Sequence, residues 1–309
     1  MRVNQQTPIA FLGMGLMGSR MTTRLLQAGY TVAVWNRSPH ACEPLIQQGA
    51  ATLALENIGN YPIILTCLAD DQAVQSVFAQ IQPYLQARQV IVDFSSLSVS
   101  ATQQLAQSAQ QQGVIWIDSP VSGGTMGAEQ GTLVIFAGGD AETIQQLSPV
   151  YQVLSQRVTR MGDSGTGQAT KICNQLIVAA NSTLIAEAVA LADQAGVDTT
   201  LLAPALAGGF ADSKPFQILA PRMATHNFEP VQWKVQTLSN VSTETFEHLK
   251  KKVQDSTRSL PYFDATRWLH DWLKNPHPLF EGETGWTGLD KGRLEEVESR
   301  MMQSLHRYV

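Results

Sequence analysis

Cysteine is scarce in this chain: 309 residues hold three, Cys42, Cys67 and Cys173. An odd count without C-x-x-C spacing excludes a disulfide scaffold and a cysteine-built zinc site, so no metal centre is expected and a reducing cytoplasmic setting fits best. Positive charge is also in short supply. With 21 Lys and Arg against 26 Asp and Glu, the formal net charge of −5 leaves no electrostatic basis for binding nucleic acid. Long apolar runs are missing too. The longest, 176–192, is interrupted by Asn181, Ser182 and Glu187, and residues 1–7 are too polar for a secretory leader, so no membrane span is expected. What remains is 44% hydrophobic and 15% charged, the profile of a globular chain long enough for two domains and a sizeable core.

Glycine is placed rather than scattered. The apolar run 8–12 breaks into Gly13-Met14-Gly15-Leu16-Met17-Gly18 and continues into a helix-favouring segment from Ser19, which reads as strand, tight turn, helix. In such a turn the first glycine permits the sharp backbone bend. The second lets a pyrophosphate approach the main chain, and the third lets the helix pack on its strand. The helix N-terminus offers unpaired N–H groups to phosphate. Gly13, Met14, Gly15, Leu16, Met17 and Gly18 are therefore the candidate dinucleotide loop.

The next strand, 31–35, indicates which dinucleotide. A site for NAD places a carboxylate about twenty residues past the fingerprint, on the ribose 2′-hydroxyl. Here the strand runs into Asn36, Arg37 and Ser38, with no acid. The Arg37 guanidinium suits a 2′-phosphate, and Asn36 and Ser38 can donate further hydrogen bonds to it. The expected cofactor is NADP (NADPH) in preference to NAD.

Strand patterns at 9–12, 31–35, 63–68, 90–93, 114–118 and 132–137 alternate with amphipathic segments such as 71–86 and 100–112, which predicts an α/β fold with a doubly wound, Rossmann-type N-terminal domain. Ligands in such sheets bind beyond the carboxyl ends of the strands. Leu68, Ala69, Asp70, Ser95, Ser96 and the run from Ser119 to Gly124 should then surround the cofactor mouth. Asp70 and Asp71 read as helix caps. In Ser122-Gly123-Gly124 the backbone N–H groups can approach a substrate carboxylate closely, with the Ser122 hydroxyl as a further donor.

After the glycine-rich run 162–167 comes a helical pattern reaching about residue 195. Lys171, Asn174 and Gln175 stand at i, i+3 and i+4, so one face collects an ammonium and two amides amid apolar neighbours. A lysine on an apolar helix often snorkels to water. At the end of the nucleotide-binding half, however, it faces a cleft, and desolvation there would lower its pKa and suit it to protonate a developing alkoxide.

These residues resemble a family. The ordered set Gly13 to Gly18, Asp93 to Ser96, Asp118 to Gly124, and Gly165-x-Gly167-x-x-x-Lys171-x-x-Asn174-Gln175 is similar to the β-hydroxyacid dehydrogenases, over about residues 7–238. That family includes 3-hydroxyisobutyrate dehydrogenase, tartronate semialdehyde reductase and glyoxylate/succinic semialdehyde reductase. The resemblance implies Lys171 as catalytic acid/base, Ser122, Gly123 and Gly124 as holders of the substrate carboxylate, and Asn174 with Gln175 as substrate-orienting groups. Gln175 departs from the asparagine of many members and is similar to the tartronate semialdehyde reductase branch. The implied reaction is NADPH-dependent reduction of a small semialdehyde or 2-oxo acid, in a homodimer or tetramer. The expected organisation is a nucleotide-binding domain at 1–163, an interdomain helix and the start of an all-helical domain at 164–239, and a divergent tail at 240–309.

The tail differs in composition. Residues 1–239 hold 28 glutamines and 26 charged residues, whereas 240–309 hold 2 glutamines and 21 charged residues. The lysine of the Lys-Asp-Leu helix that the resemblance leads one to expect near 240 is replaced by Leu238-Ser239-Asn240-Val241. Helical patterns at 242–254, 263–273 and 293–308 carry Trp268 and Trp272, and the order Trp272, Pro276, Leu279, Gly282, Thr284, Gly292 and Val297 is faintly similar to the toxin-binding domain of certain bacterial antitoxins. Two alternatives therefore stand beside the reductase: a nucleotide-binding protein with impaired catalysis, and a fusion whose tail binds a protein partner.

Overall fold

The computed structural model describes residues 3–227; the tail patterns read above lie outside them. Strands β1 (Ile9–Leu12), β2 (Val32–Trp35), β3 (Ala51–Thr52), β4 (Ile63–Thr66), β5 (Val90–Asp93) and β6 (Ile115–Asp118) run parallel in the order β3-β2-β1-β4-β5-β6. The winding direction reverses between β1 and β4, which opens a crevice at their carboxyl ends. The sheet then changes character. β7 (Val121–Ser122) and β6 both lie antiparallel to β8 (Leu133–Gly138), and β9 (Ser155–Gly162) adds parallel to β8 at the edge.

Alternation along the strands builds two cores. Ile9, Phe11, Val32, Val34, Ile63, Leu65, Val90 and Val92 face Met21 and Leu25 of α1 (Leu16–Gln27) and the apolar residues of α5 (Gly124–Gln130) and α7 (Ser148–Leu154). Ala10, Leu12, Ala33, Ile64, Ile91 and Trp116 face the other way, onto Val74, Val77, Phe78 and Ile81 of α3 (Asp71–Ile81) and Leu105 and Ala109 of α4 (Val99–Gln110). This is the period-2 rule of a sheet covered on both faces. Two short helices, α2 (Glu43–Ile46) and α6 (Ala141–Gln146), complete the set before β9. The starts are written in side chains: Asp70 accepts from the Ala73 N–H at 2.8 Å, Ser98 from Ala101 at 3.2 Å and Asp140 from Thr143 at 2.7 Å.

All six expected strands are present, with ends shifted by one or two residues. Three others escape a reading of the pattern. β3 and β7 are two residues long, too short for alternation to show, and β9 is an edge strand whose residues are mostly exposed.

The chain divides into two compact units, Met1–Asn174 and a second beginning at Gln175, so the division falls inside the long helix α8 (Thr166–Gln194). In the second unit Ile185, Val189, Ala203, Phe216 and Ala220 gather α8 with α9 (Leu202–Leu206) and α10 (Lys214–Ala224). By length and composition only, α8 is long and apolar enough to cross a membrane, a test that a buried core helix also passes. The interruptions in 176–192 include Asn181 and Ser182, which are polar but uncharged, and the charged residues of α8 are spread along the helix.

Candidate active site

The loop after β1 has the geometry that its glycines suggest. Gly13 sits at φ +104°, and a Cβ there would collide with the Cys67 carbonyl oxygen; one on Gly18 would strike the Gly13 carbonyl and lie 3.4 Å from the Phe11 ring. Gly15 is exposed with open space where a side chain would project. α1 begins just after it with neither a side-chain cap nor an acid in its first turn, so its leading N–H groups stay available to an anion. Leu16 is 71% exposed, Met17 is half-buried, and Met14 is buried.

Asn36 is held by two hydrogen bonds of its own. Its Oδ1 accepts the Met14 N–H at 3.0 Å, and its Nδ2 donates to the Ser38 carbonyl at 3.1 Å. The side chain braces the glycine loop against the end of β2, engaging its oxygen and one of its two N–H groups. Arg37 and Ser38 are exposed, and among the described residues Arg37 makes no hydrogen bond or ion pair. An anion-ready helix start, and a guanidinium at the end of β2 with no partner among the described residues, fit a dinucleotide.

At the ends of β4 and β5, Ala69 and Ser96 are exposed, while Leu68 is half-buried with its N–H on Ser95 Oγ at 2.9 Å. Two serines expected at the mouth turn inward instead: Ser95 is buried, and Ser119 is buried with its hydroxyl 2.7 Å from that of Tyr151. Ser95 is anchored by Asp93. The Asp93 Oδ1 accepts from Thr66 Oγ1 at 2.7 Å, Ser95 Oγ at 2.6 Å and Ser95 N at 3.1 Å, whereas Oδ2 has no hydrogen-bond partner. Complete burial outweighs these donors and pushes the Asp93 carboxyl up to about 6.

Asp118, at the end of β6, holds the start of α8. Its Oδ1 accepts the Gly165 N–H at 2.8 Å and its Oδ2 the Gln168 N–H at 3.0 Å, a buried carboxylate placed on the positive end of a helix. Gly167 has no room for a side chain, since a Cβ would lie 2.7 Å from Asp118 Oδ2. The glycines at 165 and 167 thus seat the helix on a carboxylate. Gln168 is fully buried; its Nε2 donates to the Ser95 carbonyl at 2.8 Å, and its Oε1 accepts the Leu97 N–H at 3.1 Å. The sequence reading gave Gln168 no role.

Lys171 is the first lysine of the chain. Its Nζ donates to the Val121 carbonyl at 2.8 Å, and burial lowers its pKa to about 8. Val121 immediately precedes Ser122, which is half-buried in β7, and the exposed Gly123 and Gly124 at φ +126° and +62°. The ammonium and the Ser-Gly-Gly loop are therefore neighbours, although 50 residues separate Lys171 from Val121. Asn174 and Gln175, one helical turn further on, are half-buried and engaged in polar interactions. Among the described residues no cluster of three or more His, Cys, Asp or Glu side chains is placed to hold a metal.

Comparison with known proteins gives the family. Residues 8–162 match the family model of the NAD-binding domain of 6-phosphogluconate dehydrogenase, and residues 165–238 match that of the NAD-binding domain of NADP-dependent 3-hydroxyisobutyrate dehydrogenase. The 2-hydroxy-3-oxopropionate reductase of Escherichia coli is 34% identical over 227 residues, covering 72% of this chain and 79% of that protein. The 3-hydroxyisobutyrate dehydrogenase of Pseudomonas aeruginosa is 34% identical over 201 residues, covering 63% and 67%. Among solved structures, a Mycobacterium tuberculosis 3-hydroxyisobutyrate dehydrogenase with L-serine superposes with a TM-score of 0.72 at 26% identity, over 83% of this chain and 89% of the other. An anion-ready glycine loop, a desolvated helix lysine and these relatives together place the chain in the β-hydroxyacid dehydrogenase family, as an NAD(P)-dependent oxidoreductase.

Proposed function

We propose that the protein reduces a small semialdehyde or 2-oxo acid to the hydroxy acid with NADPH. The observation that carries this reading is the Lys171 ammonium hydrogen-bonded to the Val121 carbonyl, directly beside Ser122, Gly123 and Gly124. When bound, the nicotinamide cofactor supplies hydride to the carbonyl carbon. Lys171 gives its Nζ proton to the carbonyl oxygen, and a pKa of about 8 keeps that proton both present and transferable near neutral pH. Ser122 Oγ and the N–H groups at Gly123 and Gly124 bind the substrate carboxylate, which fixes the carbonyl relative to the lysine. Asn174 and Gln175 orient the substrate from the same helix.

The choice of NADPH rests on Arg37, exposed and without a partner among the described residues, at the end of a strand that lacks a carboxylate, and on the likeness of 165–238 to an NADP-dependent enzyme. The test is oxidation of NADPH and of NADH by the purified full chain with glyoxylate and with succinic, tartronic and methylmalonic semialdehydes. Turnover of at least one substrate, faster with NADPH, is the expected result. Binding of NADPH without turnover of any of them would overturn the assignment as a reductase.

A further inference from the structure

Between the lysine turn of α8 and the loops after β4 and β5 lies one uncharged side chain that the chemistry above leaves unused. Gln168 presents no exposed surface, and both ends of its amide are engaged by a single loop, at the Ser95 carbonyl and the Leu97 N–H. Its own N–H lies on Asp118. Ser95, held from behind by Asp93, accepts the Leu68 N–H at the cofactor mouth. Lys171 follows Gln168 by three residues, less than one turn, so the rotation of α8 about its axis at Gln168 sets where Nζ arrives. The chain of contacts runs without a break from the Leu68 backbone through Ser95 and Gln168 to the turn that carries the ammonium.

We propose that Gln168 is a positioning residue that registers the Lys171 turn of α8 against the loops that receive the nucleotide, so that lysine and cofactor meet in one geometry. This deepens the reductase reading and rests on it. Gln168 touches neither reacting group; it acts through the helix. Its loss should therefore spare cofactor affinity and act on the placement and ionisation of Lys171. A displacement of about 1 Å at a reacting group costs on the order of a hundredfold in rate.

The experiment uses the full chain as wild type, Gln168→Met, Gln168→Asn and Lys171→Ala. Acetic anhydride labelling of the Lys171 peptide, followed across pH 6–11 by mass spectrometry, reads the lysine without turnover, and NADPH affinity and kcat are measured alongside. For Gln168→Met we expect a labelling midpoint about one pH unit higher, as the ammonium escapes its desolvated position. We also expect kcat lower by about a hundredfold with the NADPH Kd changed by less than about threefold. A folded Gln168→Met whose midpoint and kcat match wild type overturns the proposal. If the methionine variant does not fold, Gln168→Asn, which stays uncharged and keeps an amide one methylene short of the loop, decides by the same two readouts: a raised midpoint with lowered kcat supports the role, and wild-type values refute it. The reductase reading fails separately, if wild type binds NADPH but turns over none of the carbonyl acids, and the role of Lys171 as proton donor fails if Lys171→Ala keeps wild-type turnover.

Discussion

Lys171→Met should separate stability from function in opposite directions. The folded protein holds this lysine at a pKa of about 8, against the ordinary lysine value of 10.5. That difference corresponds to about 3 kcal/mol by which the fold disfavours the charged form. Because the unfolded chain keeps its proton to higher pH, the penalty is fully present below pH 8 and is relieved as the pH climbs from 8 toward 10.5. Methionine preserves most of the apolar stem and removes the buried charge. It also leaves the Val121 carbonyl without its donor, which costs about 1–3 kcal/mol. At pH 7 the variant should thus lie between parity with wild type and a gain of about 2 kcal/mol. The pH dependence is the sharper readout. Between pH 7 and 9 wild type should gain about 1 kcal/mol relative to Lys171→Met, since the cysteines and tyrosines common to both cancel. Urea denaturation of both proteins at the two pH values measures this, and steady-state assays with NADPH measure the loss of kcat. Parallel stability curves would show that the lysine is not desolvated, and a kcat within about tenfold of wild type would remove it from the chemistry.

Three further outcomes follow from other parts of the molecule. Asp93→Asn keeps an oxygen for the three donors on Oδ1 and removes a buried charge from Oδ2, which has no partner. Since the folded carboxyl titrates near 6, wild type loses stability as the pH rises through 4 to 6, and the variant should be more stable at pH 7 by at most about 3 kcal/mol, with the gap closing toward pH 4 in melting temperature. Arg37→Asp should lower the ratio of kcat/KM for NADPH over NADH by at least about tenfold, the worth of a lost charge-assisted contact; an unchanged ratio would remove Arg37 from cofactor choice. Gly18→Ala drives a methyl into the Gly13 carbonyl, and should cost about 1–3 kcal/mol in urea titration and weaken NADPH binding in a fluorescence titration.

The glycines at 13, 15 and 18, the six principal strands and the face carrying Lys171, Asn174 and Gln175 were all legible in the chain, because each expresses a short-range rule. Backbone sterics decide where a turn needs glycine, pleating sets a period of two, and the helix sets a period near four. The sheet's antiparallel addition was not legible, since two-residue strands and an exposed edge strand carry no alternation. The bracing role of Asn36 was not legible either, because its residue type suits both a phosphate ligand and a loop brace, and its 3.0 Å bond to Met14 N is a tertiary contact. Composition and spacing alone thus settled a doubly wound nucleotide-binding domain with a helix lysine beyond it. Tertiary structure alone decided what holds that lysine. Its acceptor at Val121, the Asp118 carboxylate under the start of α8 and the link from Gln168 to Ser95 lie 50 to 73 residues away in sequence, and sheet order brings them together. Hydrogen bonds across such separations depend on which strands become neighbours, and no local pattern of residues records that.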